Sequence, residues 1–593
     1  MTRRTPLLVA LLSLTLMLSM TGARAQTPDE RPAVFEGEGV AEILAGMSRR
    51  QKVGQLFMSR VYGSRAESPA PGAVRANERH LGVRDADELF ERFPVGSVVY
   101  FDYTGNLRRP EQVARLSNGI QRAAIAAGTV PALIATDQEH GSIERLGPPA
   151  ARFPGAMALG ATRDVVLARE AARITGEDLR AVGIDQDLAP VADVNNNPAN
   201  PVIGVRSFGS RPGLVSDMTR AQIAGFEQDA GVASTVKHFP GHGDTAIDSH
   251  FGLPVIRHDE QRWWDLDAPP FSAAVDAGVD VVMTAHVKVP ALDPSGRPAT
   301  LSKPILTGIL RERMGFDGVV MTDSLTMEGV RTAYGDDRVP VLALKAGADI
   351  LADPPHLPSA FRAVVAAVER GEISEERLDQ SVERVLRLKE RLGLLDDPFV
   401  DVEAVTEALG TAEDEAVARA VGASAATVLR DDRGWLPLRP RWDVLVTGLK
   451  PEGGGALVNE LEDSGHEVRA LWAGVESGSR KIKRTVRIAR EHDVTIVITK
   501  HLGVYPAQRK LVGRLLRSGA RVVVVFAGSP YDASWVPNAQ AQVATYSTVP
   551  ASMFGLARVL AGRTQATGTL PVRVPRPGGG TLYPFGHGLQ PRR

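Results

Sequence analysis

A chain of 593 residues exceeds one ordinary domain, so two or more are expected. With 69 Lys+Arg against 70 Asp+Glu it has no global field that would draw it to nucleic acid or an anionic membrane, and 43% hydrophobic residues suffice for buried cores. It contains no cysteine, which excludes disulfides and a cysteine-linked lipid anchor and leaves stability to its cores.

Arg3 and Arg4 precede an uncharged apolar run from Pro6 to Met20, and Ala23-Arg24-Ala25 then places small residues where a signal peptidase reads. The run is short of the roughly 20 residues a spanning helix needs. Residues 1–25 are therefore expected to be a cleavable secretory signal with mature Gln26. A secreted, periplasmic or cell-wall location follows, with no integral membrane segment after cleavage.

Eight short apolar runs come next: 53–58, 96–101, 132–136, 183–188, 232–237, 279–284, 318–322 and 348–352. Each has the length of a buried strand, and segments of helical periodicity such as 164–182 and 214–230 lie between them. Eight βα units point to an α/β fold, a (β/α)8 barrel over residues 26–395. Most of the runs end in polar residues: Asp137-Gln138-Glu139-His140, Asp193 to Asn197, Lys237-His238, Thr284-Ala285-His286, Thr322-Asp323-Ser324 and Asp353. A parallel barrel gathers strand C-termini on one face, so these residues are expected to surround one pocket. Helix capping explains an Asp or Ser at such a place, but not Lys237, His238, His250 and His286 together.

A charged helical stretch, 372–395, closes the barrel and is stopped at Asp396-Asp397-Pro398; residues 396–440 read as a linker. Runs at 444–449, 494–499, 521–527 and 541–546 then predict a smaller three-layer α/β sandwich with a parallel sheet over 441–593. The glycine-rich loops 453–455 and 578–580 lack dinucleotide or P-loop spacing, so no phosphate cofactor is expected. His466, His501 and His587 read as surface or loop histidines, and Trp263-Trp264 as packing between barrel helices more than as a sugar platform.

The densest chemistry lies in Lys237-His238-Phe239-Pro240-Gly241-His242-Gly243-Asp244-Thr245-Ala246-Ile247-Asp248-Ser249-His250. Asp248 and His250 are two apart, so an extended segment points both to one side, and a carboxylate beside an imidazole suits acid/base work near neutral pH. Asp323, at the tip of the seventh strand, is the candidate nucleophile; a proton donor and a carboxylate flanking one bond are the minimum for retaining glycoside hydrolysis. Lys237, Arg145 or Arg206 nearby would keep it ionised. A rival reading takes His238, His242, Asp244, Asp248 and His250 as ligands of a metal-dependent hydrolase. The glycines and Pro240 fit a rigid loop better, so no metal is expected. A sugar-binding module without catalysis is the other rival, disfavoured because Asp323 and His250 are both present.

Lys-His-Phe-Pro-Gly-His-Gly followed by Asp-Ser-His closely resembles the β-N-acetylglucosaminidase branch of glycoside hydrolase family 3. Asp137-Gln138-Glu139, Arg145-Leu146, Arg206-Ser207-Phe208-Gly209, Thr284-Ala285-His286, residues 315–323, Gly568 to Val572 and Tyr583 to Leu589 match in order, so the resemblance spans nearly all of the chain after residue 25. It implies Asp323 as nucleophile, His250 as acid/base oriented by Asp248, Asp137 on sugar hydroxyls, and Arg145, Arg206, Lys237 and His238 on the sugar and its substituents. It also implies terminal N-acetylglucosaminides as substrates, from muropeptides or chitin fragments, with no cofactor; a monomer is expected. A family 3 β-glucosidase or a phosphorylase are the alternatives within it. His140, Ser142 and Ser324 depart from the family's usual residues beside the implied sugar site.

Overall fold

In a computed structural model of the protein, residues 39–591 are described. The expected signal, 1–25, lies outside them. The barrel strands are β1 (Phe57–Arg60), β2 (Ser97–Val99), β3 (Leu133–Thr136), β4 (Gln186–Asp187), β5 (Ala233–Phe239), β6 (Val281–Thr284), β7 (Val319–Met321) and β8 (Leu351–Ala352). They pair in parallel in sequence order, β8 pairs with β1, and a parallel bridge between Met321 and Ile350 closes the ring. The chain thus forms the expected (β/α)8 barrel followed by an α/β sandwich.

Strand alternation sorts the side chains into two cores. Met58, Val99, Leu133, Ala135, Met283 and Met321 fill the barrel interior, while their neighbours Phe57, Val98, Ile134 and Val320 pack outward against the helices. The inward set is a solid plug, so a ligand can only sit above it, at the strand C-termini. At the first strand the sequence expectation was offset. The run 53–58 straddles the end of a helix, Arg49–Gln55, and the start of β1. Ser48 and Gln51 form a capping box that starts this helix, so Val53 is buried from a helical turn.

The second domain contains a six-stranded sheet in the order β11-β10-β12-β13-β14-β9, from β9 (Thr427–Asp431), β10 (Asp443–Gly448), β11 (Glu467–Trp472), β12 (Val494–Thr499), β13 (Val522–Phe526) and β14 (Ala541–Ala544). Val444, Val446, Ile496 and Val523 face the helices Gly454–Asp463 and Pro550–Leu560, whereas Leu445, Val497, Val522 and Val524 face Ser479–Ala489 and Pro506–Leu516, which makes the three layers. Two differences from the sequence reading stand out. The segment 396–440 is more than a linker, because its helix Ala412–Ala425 packs on Pro550–Leu560 and its β9 joins the sheet. The sheet is mixed, since β9 runs antiparallel to β14. No helix among the described residues is long and apolar enough to cross a membrane.

Candidate active site

Above the plug, the strand C-termini enclose a cavity of about 300 Å³. Met58, Val99, Leu188 and Met283 form its apolar floor. All the side chains predicted from sequence line it, except Asp248: Asp137 directly after β3, Arg145 and Arg206 from the following loops, Lys237 and His238 from β5, His250 from the loop beyond, and Asp323 after β7. Asp248 stands directly behind His250.

The charged groups interlock. Glu139 receives Arg206 in a two-pronged pair, Nε to Oε2 and Nη2 to Oε1, both 2.8 Å, and Lys237 Nζ at 2.6 Å. Lys237 also reaches Asp137 Oδ1 at 2.9 Å. Burial opposes ionisation of Glu139, but the Arg206 and Lys237 charges outweigh it and hold the carboxyl well below the usual range. Glu139 is therefore the hub of the cluster, a role that its place in Asp-Gln-Glu did not reveal. Arg145 lies 3.3 Å from Asp102 and 4.0 Å from Asp137.

His238 Nδ1 is bound to Asp193 Oδ2 at 2.7 Å, and the other Asp193 oxygen accepts the His242 amide at 2.6 Å. Asp193 thus fixes the His238 ring and anchors the loop that follows β5. Gly243 lets this loop cross the 194–195 backbone: a Cβ there would fall 1.9 Å from the Val194 carbonyl oxygen. His242 bonds Thr245 Oγ1 and Ser249 Oγ, and burial pulls its pKa down to about 4, so it is a neutral strut inside the loop.

Farther along, residues 248–252 form a turn and not the extended segment assumed from spacing. The pair nonetheless forms, because Asp248 Oδ1 accepts both the His250 amide at 2.9 Å and His250 Nδ1 at 2.7 Å. With Nδ1 so occupied, Nε2 is the nitrogen left to exchange a proton. The imidazole is 55% exposed, open to the cavity and to what lies outside it.

Asp323 Oδ1 accepts the Ser324 amide at 2.7 Å, while Oδ2 has no hydrogen-bond partner among the described residues. Burial works against its ionisation, yet His238 and His286, then the Ser324 amide and His250, hold its pKa below the usual range. The cations expected to do this, Lys237, Arg145 and Arg206, are not among the leading causes; Lys237 is paired with Asp137 and Glu139, Arg145 with Asp102, and Arg206 with Glu139. His286 is buried between Thr300 Oγ1, 2.8 Å, and the Ser324 carbonyl, 3.1 Å. Ser324 itself donates to Asp353 Oδ2 at 3.0 Å, and Asp353 pairs with Arg60 at 2.5 Å. His140 turns away to Thr175 and is held neutral by burial, its pKa pulled down to about 3.

The proposed metal ligands are dispersed among other partners. His238 belongs to Asp193, Asp244 to His258 and Asp248 to His250. No three His, Asp or Glu side chains among the described residues converge as metal ligands would. Trp263 is buried, its Nε1 donating to the Pro240 carbonyl, and packs edge-on against Phe239 of β5, so it has a packing role, though here against a strand and not between helices. Tyr103, 63% exposed and stacked on Phe101 at the cavity rim, was not foreseen.

Comparisons with known proteins extend over this framework. Residues 48–388 match the glycosyl hydrolase family 3 N terminal domain, and residues 426–590 its C-terminal domain. A beta-hexosaminidase A of Pseudoalteromonas piscicida is 33% identical over 67% of this chain and 70% of its own length. A beta-N-acetylglucosaminidase/beta-glucosidase of Cellulomonas fimi is 29% identical over 91% of this chain and 97% of its own. The solved structure of a family 3 beta-N-acetylglucosaminidase from Paenibacillus sp. str. FPU-7 superposes with a TM-score of 0.82, at 37% identity, over 89% of this chain and 99% of that one.

Proposed function

The chain belongs to glycosyl hydrolase family 3, and on that premise we propose that it is an exported, retaining exo-β-N-acetylglucosaminidase that removes terminal N-acetylglucosamine from cell-wall muropeptides or chitin fragments. The observation that carries this reading is the Asp248–His250 pair at the mouth of a cavity whose wall holds the ionised Asp323. Asp323 Oδ2 attacks the anomeric carbon while His250 Nε2–H gives its proton to the departing glycosidic oxygen. Water, deprotonated by the now neutral His250, then attacks the same carbon and releases Asp323. Asp137, Arg145, Arg206, Lys237 and His238 bind the sugar, with Glu139 holding the two buried cations in place. The apolar leader at residues 6–20 supports export.

The test uses aryl glycosides. Aryl β-N-acetylglucosaminide should be cleaved far faster than aryl β-glucoside, and equal rates would sink the substrate assignment. Asp323→Ala should lower kcat by at least about 10³-fold. His250→Ala should lose about 10²-fold on poor leaving groups and much less on activated ones, which need little protonation. An equal loss on every leaving group would remove His250 from the acid role. A second reading, transfer to phosphate in place of water, is favoured by the imidazole: neutral as a base, it repels an anionic acceptor less than a carboxylate would. Glycosyl phosphate formed when phosphate is added distinguishes the two.

A further inference from the structure

A second cavity, about 580 Å³, opens beside the first and lies between the two domains. The two share Ile143, Val202, Ile203, Arg206 and His250, so they are neighbouring chambers of one cleft. The second is lined by Asp248 and His250 but not by Asp323. A general acid stands where the leaving group departs, so the chamber on the acid's side and away from the nucleophile receives the departing part of the substrate. Its far wall comes from the second domain: Lys500, His501, Tyr531 and Trp535.

Charge within this chamber is unevenly satisfied. Arg206 is paired with Glu139, and Asp248 is hydrogen-bonded to His250. Asp532 takes the Leu502 amide at 2.9 Å and is held by the backbone of the 501–503 turn. The Lys500 ammonium has no ion pair or hydrogen bond among the described residues, although its backbone is fixed on both sides by the buried Gln508. Its stem lies against Gly528, where a Cβ would come 2.9 Å from Lys500 Cγ. The wall is also held in register with the catalytic loops, since Asn195 Nδ2 donates to Tyr531 Oη at 3.0 Å across the domain boundary. A rigidly based, unpaired cation at the edge of a ligand chamber is the expected feature of an anion site.

Resting on the reading above, we propose that the interdomain chamber binds the leaving-group side of the substrate and that Lys500 selects a leaving sugar bearing a carboxylate. The chemical class is an acidic N-acetylated amino sugar, as opposed to a neutral chitin-type residue.

The experiment compares three substrates of the full-length enzyme: an aryl N-acetylglucosaminide, neutral diacetylchitobiose, and the disaccharide of N-acetylglucosamine β-1,4-linked to N-acetylmuramic acid. Wild type should prefer the acidic disaccharide to the neutral one in kcat/KM, and the preference should shrink as salt rises. Lys500→Gln should lower kcat/KM on the acidic disaccharide about tenfold and leave the other two substrates unchanged, while Lys500→Arg retains most of the preference. Equal kcat/KM for the two disaccharides in wild type would overturn the proposal. So would a Lys500→Gln variant that loses both equally or neither. Absence of aryl N-acetylglucosaminide hydrolysis would strike the sugar-site reading instead, because that substrate places no second sugar in the chamber.

Discussion

Glu139 shows how much a single buried carboxylate can hold. It neutralises Arg206 and Lys237 at once, and its own carbon skeleton is almost wholly enclosed. Glu139→Gln would leave one of two buried cations without a counter-charge, and breaking such a pair costs about 3–5 kcal/mol. The folded-state pKa of Glu139 lies below its unfolded value, so its contribution is complete above the ordinary carboxylate range and is lost as pH falls through the folded value. Thermal unfolding should therefore show a large deficit for Glu139→Gln at pH 7 that narrows toward pH 3. A deficit independent of pH would mean that shape, not charge, sets the role of this residue. Turnover of aryl N-acetylglucosaminide should fall with it, since Lys237 and Arg206 would lose their common anchor.

At the scale of elements, the loop between β5 and the helix Glu260–Leu266 is bolted at its root by His258, whose Nε2 binds Asp244 at 2.6 Å and Nδ1 binds Asp267 at 2.9 Å. Both ring nitrogens donate only when the imidazole is cationic, and these two carboxylates raise its pKa to about 9. Asp193, which bears on Asp267, is the further acid on this side. Because the folded pKa exceeds the unfolded one near 6.5, the stabilisation is full below that value and disappears as pH rises through about 9. His258→Gln should cost about 1–2 kcal/mol at pH 6, discounted for the solvent beside Asp244, and almost nothing at pH 10. At pH 6 it should also lower kcat about tenfold by letting the Asp248–His250 turn shift, with KM less affected. A variant whose kcat matched wild type would show that the turn is held from elsewhere.

The same elements show what the sequence makes legible. The barrel strands are buried on both faces, so they read as unbroken apolar runs, and their polar C-terminal residues mark the active face. Asp137, Lys237, His238 and Asp323 could be placed together on that ground and His250 on the loop beyond the fifth strand, whereas Arg145 and Arg206 were placed at the sugar site by the family resemblance. β11 was missed because it is an edge strand with exposed Glu467, Ala470 and Arg469, which interrupts the run. β9 was missed because it follows the helix Ala412–Ala425 after a single residue, with no turn signal between. Partners such as Asp193 for His238, or His258 for Asp244, arise from long-range packing that no spacing encodes.

For the whole molecule the question is what makes two domains act as one cleft. Arg163, in the left-handed conformation at the end of the helix Ala156–Thr162, reaches across to the second domain. Its Nη2 donates to the Leu570 carbonyl at 2.8 Å, Nε to Thr569 Oγ1 at 3.3 Å, and the guanidinium lies 4.3 Å from the centre of the Phe585 ring. The Thr569 and Ser210 amides add backbone bonds to Ala161 and Pro571 at 3.1 and 2.9 Å. Arg163→Ala removes the hydrogen bonds and the ring contact, a loss of about 2 kcal/mol concentrated at the interface. Arg163 lines neither cavity, so hydrolysis of aryl N-acetylglucosaminide should be unchanged. Disaccharide substrates should show a raised KM, because the Lys500 wall would no longer be held at a fixed distance from His250. Calorimetry should resolve the unfolding into two transitions in the variant where wild type shows closer coupling. Equal effects on aryl and disaccharide substrates would mean that the second domain supports the barrel as a whole, and that the cleft between the domains is not where the leaving group is read.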